Sequence, residues 1–201
     1  LADLLLALGM RADLPTLKLI LPMGISFYTL QVVTYPLGIY YRRIEPTRRV
    51  IEFFAFVCFF PLLIAGPIER AGHLLPQFLQ PRRFDAIQAR DGLRQILNGF
   101  LKKVVIADNL APHVHAVFAD PGRYDGATLL VGAIFFTFQV YCDFSGYSDI
   151  AIGVGRLFGF SLMQNFRFPL VSRDIGEFWR RWHIALSTWL RDYLFFPLGA
   201  G

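Results

Sequence analysis

The sequence predicts an all-α integral membrane protein, a multi-pass helical bundle in which some helices are broken or re-enter the bilayer. Three observations carry that expectation. The chain is 55% hydrophobic and 17% charged, whereas a soluble domain carries about 25% charged residues. A soluble packing would therefore expose too much apolar surface. Three stretches, Leu19 to Tyr41, Phe53 to Ile68 and Gly126 to Cys142, contain no Asp, Glu, Lys or Arg. Finally, cations gather beside apolar segments, at Arg42–Arg43, Arg48–Arg49, Arg82–Arg83, Lys102–Lys103 and Arg180–Arg181. That placement suits cytoplasmic loops under the positive-inside rule, and it argues against nucleic acid as the partner of a chain with net charge +5.

The elements follow in order. Leu1–Leu8 reads as the tail of an apolar helix. Leu17–Tyr41 is long enough to cross the hydrocarbon core, which takes about 20 apolar residues. Pro22, Gly24, Pro36 and Gly38 break it, and such breaks persist in a bilayer only where protein or water satisfies the freed backbone groups. Glu45–Arg49 is a polar turn. Val50–Ile68 is the second apolar element, ending at Pro61 and again at Gly66-Pro67. Both it and the third uncharged run are short for a full span, which calls for tilt, extension past a flanking charge, or partial insertion.

Glu69–Arg83 is polar and interrupted by Pro76 and Pro81. Asp85–Ala107 reads as an amphipathic helix with Ile87, Leu93, Ile96, Phe100 and Leu101 on its apolar side, suited to lying along the interface. Asn109–Tyr124 reads as an extramembrane loop. Gly126–Cys142 is the third apolar element, followed by a polar turn, Asp143–Asp149, and an apolar stretch, Ile150–Met163. Asp174 to about Leu194 reads as one amphipathic helix. It opens with a capping box, Asp174 at the N-cap and Glu177 three residues on, and Glu177 and Arg181 are spaced for an ion pair. Both ends read as cut, so residues 1–201 are expected to be an internal part of one larger membrane domain.

His183 is the leading candidate for chemistry. On a regular helix it shares a face with Trp179, Leu186, Ser187 and Leu190. That leaves two readings open: a core histidine bonded to a backbone carbonyl, or a general base in an enclosed site. An ionisable residue at membrane depth is a functional candidate by default. Ser187 lies one turn away, but no acid shares the face, so a serine triad is not supported. Asp143 and Asp149 flank Ser145 and Tyr147. They read either as the polar lining of a substrate path or, for Asp143, as the cap of a following half-helix. His113 and His115, in the expected loop, fit no strong metal-ligand spacing, and no metal is expected. His73 reads as solvated. Cys58 and Cys142 read as small buried hydrophobes.

Six blocks then add a resemblance: Gly24–Gln31 (GISFYTLQ), Ile64–Ile68 (IAGPI), Lys102–Leu110 (KKVVIADNL), Tyr141–Ile150 (YCDFSGYSDI), Phe178–Ser187 (FWRRWHIALS) and Trp189–Tyr193 (WLRDY). Together they resemble the membrane-bound O-acyltransferase family, in its alginate O-acetyltransferase branch, over nearly the whole chain. The resemblance implies a helical bacterial inner-membrane enzyme built around a central funnel. It implies acetyl-CoA as the acyl donor, with no bound cofactor, and a cell-surface polysaccharide hydroxyl as acceptor, reached through periplasmic partner proteins.

By the same resemblance His183 is the first of two site histidines; Asp143, Ser145, Tyr147, Asp149, Trp179, Trp182 and Ser187 are expected to line the substrate path or to support the site. Trp179, Trp182 and Arg181 are expected to shape the helix and its packing. The second histidine lies beyond Gly201, so the 201 residues alone are expected to be inactive. D-alanyl transfer proteins of teichoic acid modification are similar in the same blocks; the Lys102–Asn109 stretch favours acetyl transfer over them. A transporter or channel, with broken helices lining a path, is the alternative of a different class. A scaffold subunit without activity of its own is a further one.

Overall fold

The computed structural model describes residues 24–199. The expectations for Leu1–Leu8 and for the first apolar run before Gly24 lie outside these residues. Among the described residues there are helices and turns and no strand. The α-helices are α1 (Ile25–Tyr40), α2 (Val50–Val57), α3 (Ala71–Leu79), α4 (Ala86–Phe100), α5 (Asp108–Ala119), α6 (Gly126–Leu157), α7 (Ile175–Arg181) and α8 (Ile184–Leu190). Two π-helical segments, Leu101–Ala107 and Arg191–Phe195, extend α4 and α8.

The frame is a helical hairpin. One arm is α6, 32 residues and so roughly 48 Å at 1.5 Å per residue; among the described residues it is the one helix long and apolar enough to cross a membrane. The other arm runs from Ala86 to Ala119 through α4, the π segment and α5. Asp85 caps α4 by accepting from the N–H groups of Ile87 (2.8 Å) and Gln88 (3.1 Å). Asp125 caps α6 by accepting from the Thr128 N–H at 3.0 Å.

Glycines set how closely the arms approach. A Cβ on Gly99 would stand 2.6 Å from the Gly146 carbonyl oxygen, and one on Gly92 would stand 2.8 Å from that of Gly153. Each pair is seven residues apart on its own arm, and the pairing order is antiparallel. Small residues that let backbones touch are the usual means of holding helices together in lipid.

The exposed side of α4 carries Ile87, Leu93, Phe100 and Leu101, as the sequence led one to expect, while Ile96 turns inward against Gly153. The seam corrects two other expectations. Asn109–Tyr124 is not a loop, because α5 continues the arm to Ala119, packed on α6 through Val117 against Gly132. Asp143–Asp149 is not a turn either. It lies inside α6, where lysines of the opposite arm hold both aspartates, so tertiary context overrides local turn preference.

The second uncharged run forms the eight-residue α2, then a 3₁₀ turn at Phe60–Leu62; proline and glycine stop it well short of a span. Cys142 is buried, as expected, but Cys58 is exposed, because it follows the last turn of α2 on its outer side. An aromatic core of Phe56, Phe59, Leu74, Leu75 and Phe160 ties α2 and α3 to the end of α6. A smaller one of Ile68, Ala185 and Trp189 docks α8 on α1, where the Trp189 indole N–H donates to the Leu30 carbonyl at 3.1 Å.

Candidate functional site

The segment expected to be one helix is two, and His183 is the break. Its φ of 42° and ψ of 53° are left-handed, a conformation that costs a non-glycine residue about 1–2 kcal/mol. The break is held by an extended stretch laid beside it. The Arg167 N–H donates to the Arg181 carbonyl at 3.0 Å, and the Ile184 N–H donates to the Asn165 carbonyl at 2.9 Å. The expected capping box forms in part: Asp174 accepts from the Glu177 N–H at 2.7 Å, while Glu177 accepts from the Arg173 N–H at 2.8 Å. The Glu177–Arg181 ion pair is present.

Because of the break, the face predicted for His183 does not exist. Trp179 sits on α7 and is 56% exposed. Trp182 joins an aromatic group, 5.1 Å from the Phe166 ring, 5.5 Å from Phe178 and 6.2 Å from Tyr141. Ser187 donates its N–H to the His183 carbonyl at 3.0 Å, and its hydroxyl points to the Trp182 carbonyl.

The imidazole of His183 is enclosed by other groups. Its Nδ1 is 3.4 Å from the side-chain oxygen of Asn165. Phe144 meets it edge to face at 4.7 Å, and Phe27 lies parallel at 6.4 Å. Burial pushes its pKa down to about 4, since desolvation penalises the charged form. The ring is therefore neutral near pH 7. In the tautomer that carries its proton on Nδ1, towards Asn165, the Nε2 lone pair is free to take a proton.

Three consecutive residues anchor both sides of the break. Ile68 packs in the core under α8. The Glu69 carboxylate, with no solvent exposure, accepts from the Met163 N–H and meets the His73 Nδ1 at 2.7 Å. Arg70 donates to the carbonyls of Ile68 (2.9 Å) and Ala185 (3.1 Å) and to the Thr188 hydroxyl (2.8 Å). So Glu69 holds the stretch leading to Asn165, while Arg70 holds the start of α8. His73 is thus paired rather than simply solvated, and its hydrogen bond to Glu69 raises its pKa.

Two cavities flank the hairpin near this point. One, of about 540 Å³, is lined by Gln95, Lys102, Ser145, Ser148, Asp149 and Asn165, among others. Lys102 pairs with Asp149 at 2.6 Å, and Gln95 donates to the same carboxylate at 3.0 Å. The Ser145 and Ser148 hydroxyls, the Asn165 amide nitrogen and the Gln95 amide oxygen are buried without a partner among the described residues. Such atoms cost free energy unless a ligand or water completes them.

The other cavity, about 430 Å³, is lined by Phe27, Ala65, Lys103, Asp143, Phe144 and Tyr147. There Lys103 bridges Asp143 (2.6 Å) and Asp108 (2.7 Å). Asp143 is therefore an ion-pair partner in mid-helix and not a cap, and Lys102–Lys103 is not a loop cluster. His183 stands between the two spaces, touching the first through Asn165 and the second through Phe27 and Phe144.

His113 and His115 lie on α5, and among the described residues no group of three or more His, Cys, Asp or Glu could hold a metal ion. Sequence reasoning missed Asn165, Gln95, Phe144 and the Glu69–Arg70 pair. Asn165 and Glu69 did leave a signal, since each is a polar residue set beside apolar neighbours that proved to be buried.

Residues 42–201 match the membrane-bound O-acyltransferase family. The chain is 48% identical over 183 residues to the probable alginate O-acetylase AlgI of Azotobacter vinelandii, covering 90% of this chain and 36% of that protein. It is 38% identical to the peptidoglycan O-acetyltransferase of Helicobacter pylori, covering 94% of this chain and 41% of that protein. To the teichoic acid D-alanyltransferase of Streptococcus thermophilus it is 34% identical, covering 73% of this chain and 37% of that protein. The chain thus spans little more than a third of the length of these relatives.

Proposed function

Because this chain belongs to the membrane-bound O-acyltransferase family, we propose that it forms part of a multi-pass bacterial inner-membrane enzyme acetylating a cell-surface polysaccharide such as alginate. The donor in this reading is acetyl-CoA, and the acceptor is a hydroxyl, reached with the help of periplasmic partner proteins. Higher identity to an alginate O-acetylase than to a D-alanyltransferase, 48% against 34%, supports acetyl transfer. The observation that carries the reading is His183, neutral, enclosed and set between two cavities.

The hairpin of α4–α5 with α6 crosses the bilayer, and the cavities on its two sides belong to the funnel. The acceptor oxygen attacks the thioester carbonyl while its proton passes to Nε2 of His183. The C–S bond breaks, and the departing thiolate takes the proton from the imidazolium. His183 acts here beside the second histidine that the family resemblance implies. Aromatic walls at Phe27 and Phe144 keep out water that would hydrolyse the acyl group. Proton transfer of this kind contributes roughly 10²–10⁴-fold.

The test is acetyl-CoA turnover and polysaccharide acetylation by the full-length protein in membranes, wild type against His183→Ala. A fall of 100-fold or more, with unchanged accumulation in the membrane, is expected. Equal turnover would remove His183 from the chemistry. D-alanyl transfer without acetyl turnover would move the protein to the other branch, and solute flux without either would make it a transporter.

A further inference from the structure

Beyond the candidate site, the open end of the hairpin holds a basic pocket. It measures about 190 Å³ and brings Arg82 and Arg83, from the link before α4, against Arg156 in the last turn of α6. Asp85 is the one acid on its wall, and its carboxylate is engaged by the N–H groups of Ile87 and Gln88. The nearest acid on α4, Asp91, is taken by Arg90 and Arg94. Among the described residues none of the three pocket guanidiniums pairs with a carboxylate. The carbonyls at the end of α6 do not need them either, because the N–H groups of Phe158, Gly159 and Phe160 already cap Val154, Gly155 and Arg156.

The pocket is also built rather than fortuitous. Arg82 donates to the Gln77 carbonyl at 2.8 Å, and its guanidinium lies 4.3 Å from the Phe160 ring centroid. Gly159, at a φ of 77°, lets that side chain pack against the backbone. One wall is therefore fixed before any ligand arrives. Convergent guanidiniums without carboxylates suit the tetrahedral oxygens of a phosphate, which arginine binds bidentately.

Charge along the hairpin gives the side. This end carries Arg82, Arg83, Arg90, Arg94 and Arg156 against Asp85 and Asp91, whereas the connection at the far end carries Arg123 against Asp120 and Asp125. By the positive-inside rule the arginine end is cytoplasmic.

We propose that Arg82, Arg83 and Arg156 form a phosphate-binding site facing the cytoplasm. Two cytoplasmic-side molecules present that chemistry: the phosphorylated head of a soluble acyl donor, which would rest on the acetyl-CoA reading above, and the headgroup of an anionic phospholipid. The site lies on the same α4–α6 groove as the polar cavity, with Arg156 seven residues along α6 from Asp149. That is about 10 Å of helix, so a donor anchored here would have its arm directed towards Asn165 and His183.

The test uses the full-length protein purified in a maltoside detergent, wild type against the double variant Arg83→Gln/Arg156→Gln. Arg82 is left in place because it packs on Phe160. Binding is measured for coenzyme A, for pantetheine, which lacks phosphate, and for short-chain phosphatidylglycerol; the thermal midpoint checks that both proteins are folded. Loss of at least tenfold in coenzyme A affinity with pantetheine unchanged supports the site with a soluble ligand. The same loss for phosphatidylglycerol alone supports it with a lipid ligand. Equal affinity of the two folded proteins for both phosphate-bearing probes overturns it. Binding is read without turnover and so does not require the chemistry assigned to His183. If acetyl transfer fails while the arginine-dependent binding stands, the functional reading falls and this one does not.

Discussion

Asn165 and His183, 18 residues apart in the chain, meet at 3.4 Å between side-chain oxygen and Nδ1. A ring proton on Nδ1 would donate across that contact and leave Nε2 free. On the proposed mechanism Asn165 is therefore a positioning residue, acting through His183.

Replacing Asn165 by Leu should keep the branched shape and remove the acceptor. Losing one hydrogen bond of about 0.5–1.5 kcal/mol lowers kcat roughly 2- to 13-fold. The fall in kcat should exceed any change in KM for the donor, since the tautomer acts on proton transfer and not on donor binding. Steady-state kinetics of the full-length protein decide it, and a change confined to KM would assign Asn165 to substrate binding instead.

The pH profile should carry the signature of a buried imidazole. His183 must be neutral to accept a proton, and its pKa is lowered to about 4. Activity should therefore hold steady from neutral pH down past the 6.5 of free histidine and fall only as the pH approaches 4. An acid limb centred near 6.5 in kcat/KM would mean that the ring is solvated during turnover.

His73 gives a second, opposite pH effect, on stability. Its folded pKa is raised by Glu69, so the protonated form is favoured on folding. The stabilisation is complete below the unfolded value of about 6.5 and is lost as pH climbs through the raised folded value. The thermal midpoint gap between wild type and His73→Gln should be largest near pH 5.5 and shrink towards pH 9. A constant gap would show that the pair does not titrate with folding.

Gly99→Val tests the seam. Its added carbon would fall 2.6 Å from the Gly146 carbonyl oxygen, a contact that backbone cannot relieve by rotamer change. Overpacking of this kind costs about 1–3 kcal/mol. The variant should lose monodispersity in detergent at a lower temperature than wild type, whereas Gly126→Ala, where nothing lies within 4 Å, should behave as wild type.

Composition and charge-free runs made the helical class legible, and the Trp-His block singled out His183 as the candidate. The arrangement around it was not legible, for reasons that are local. A Ser-Gly-Tyr-Ser stretch flanked by aspartates looks like a turn when read alone. It stays helical because Lys102 and Lys103, forty residues earlier, neutralise the two carboxylates and glycines of the other arm fit against Gly146 and Gly153. Conversely, Trp182–His183–Ile184 reads as helix interior, and it breaks because Asn165 and Arg167 compete for its backbone hydrogen bonds. Long-range partners reversed the local preference in both places. Glu69 is the same lesson in one residue: its class suggests surface, its neighbours bury it.

The π-helical stretch Leu101–Ala107 has a consequence for the hairpin as a whole. On one side of it, α4 is phased to α6 by the glycine pairs; on the other, α5 is phased to α6 by Val117 against Gly132. A straight α-helix would tie those two phases together, each residue adding about 100° of rotation. The wider winding absorbs the difference, so each half of the arm keeps its own rotational setting. Two adjacent lysines can then reach carboxylates six residues apart on α6. Deleting a single residue within 101–107 would rewind the stretch and rotate one half against its seam, a larger disturbance than any point substitution there.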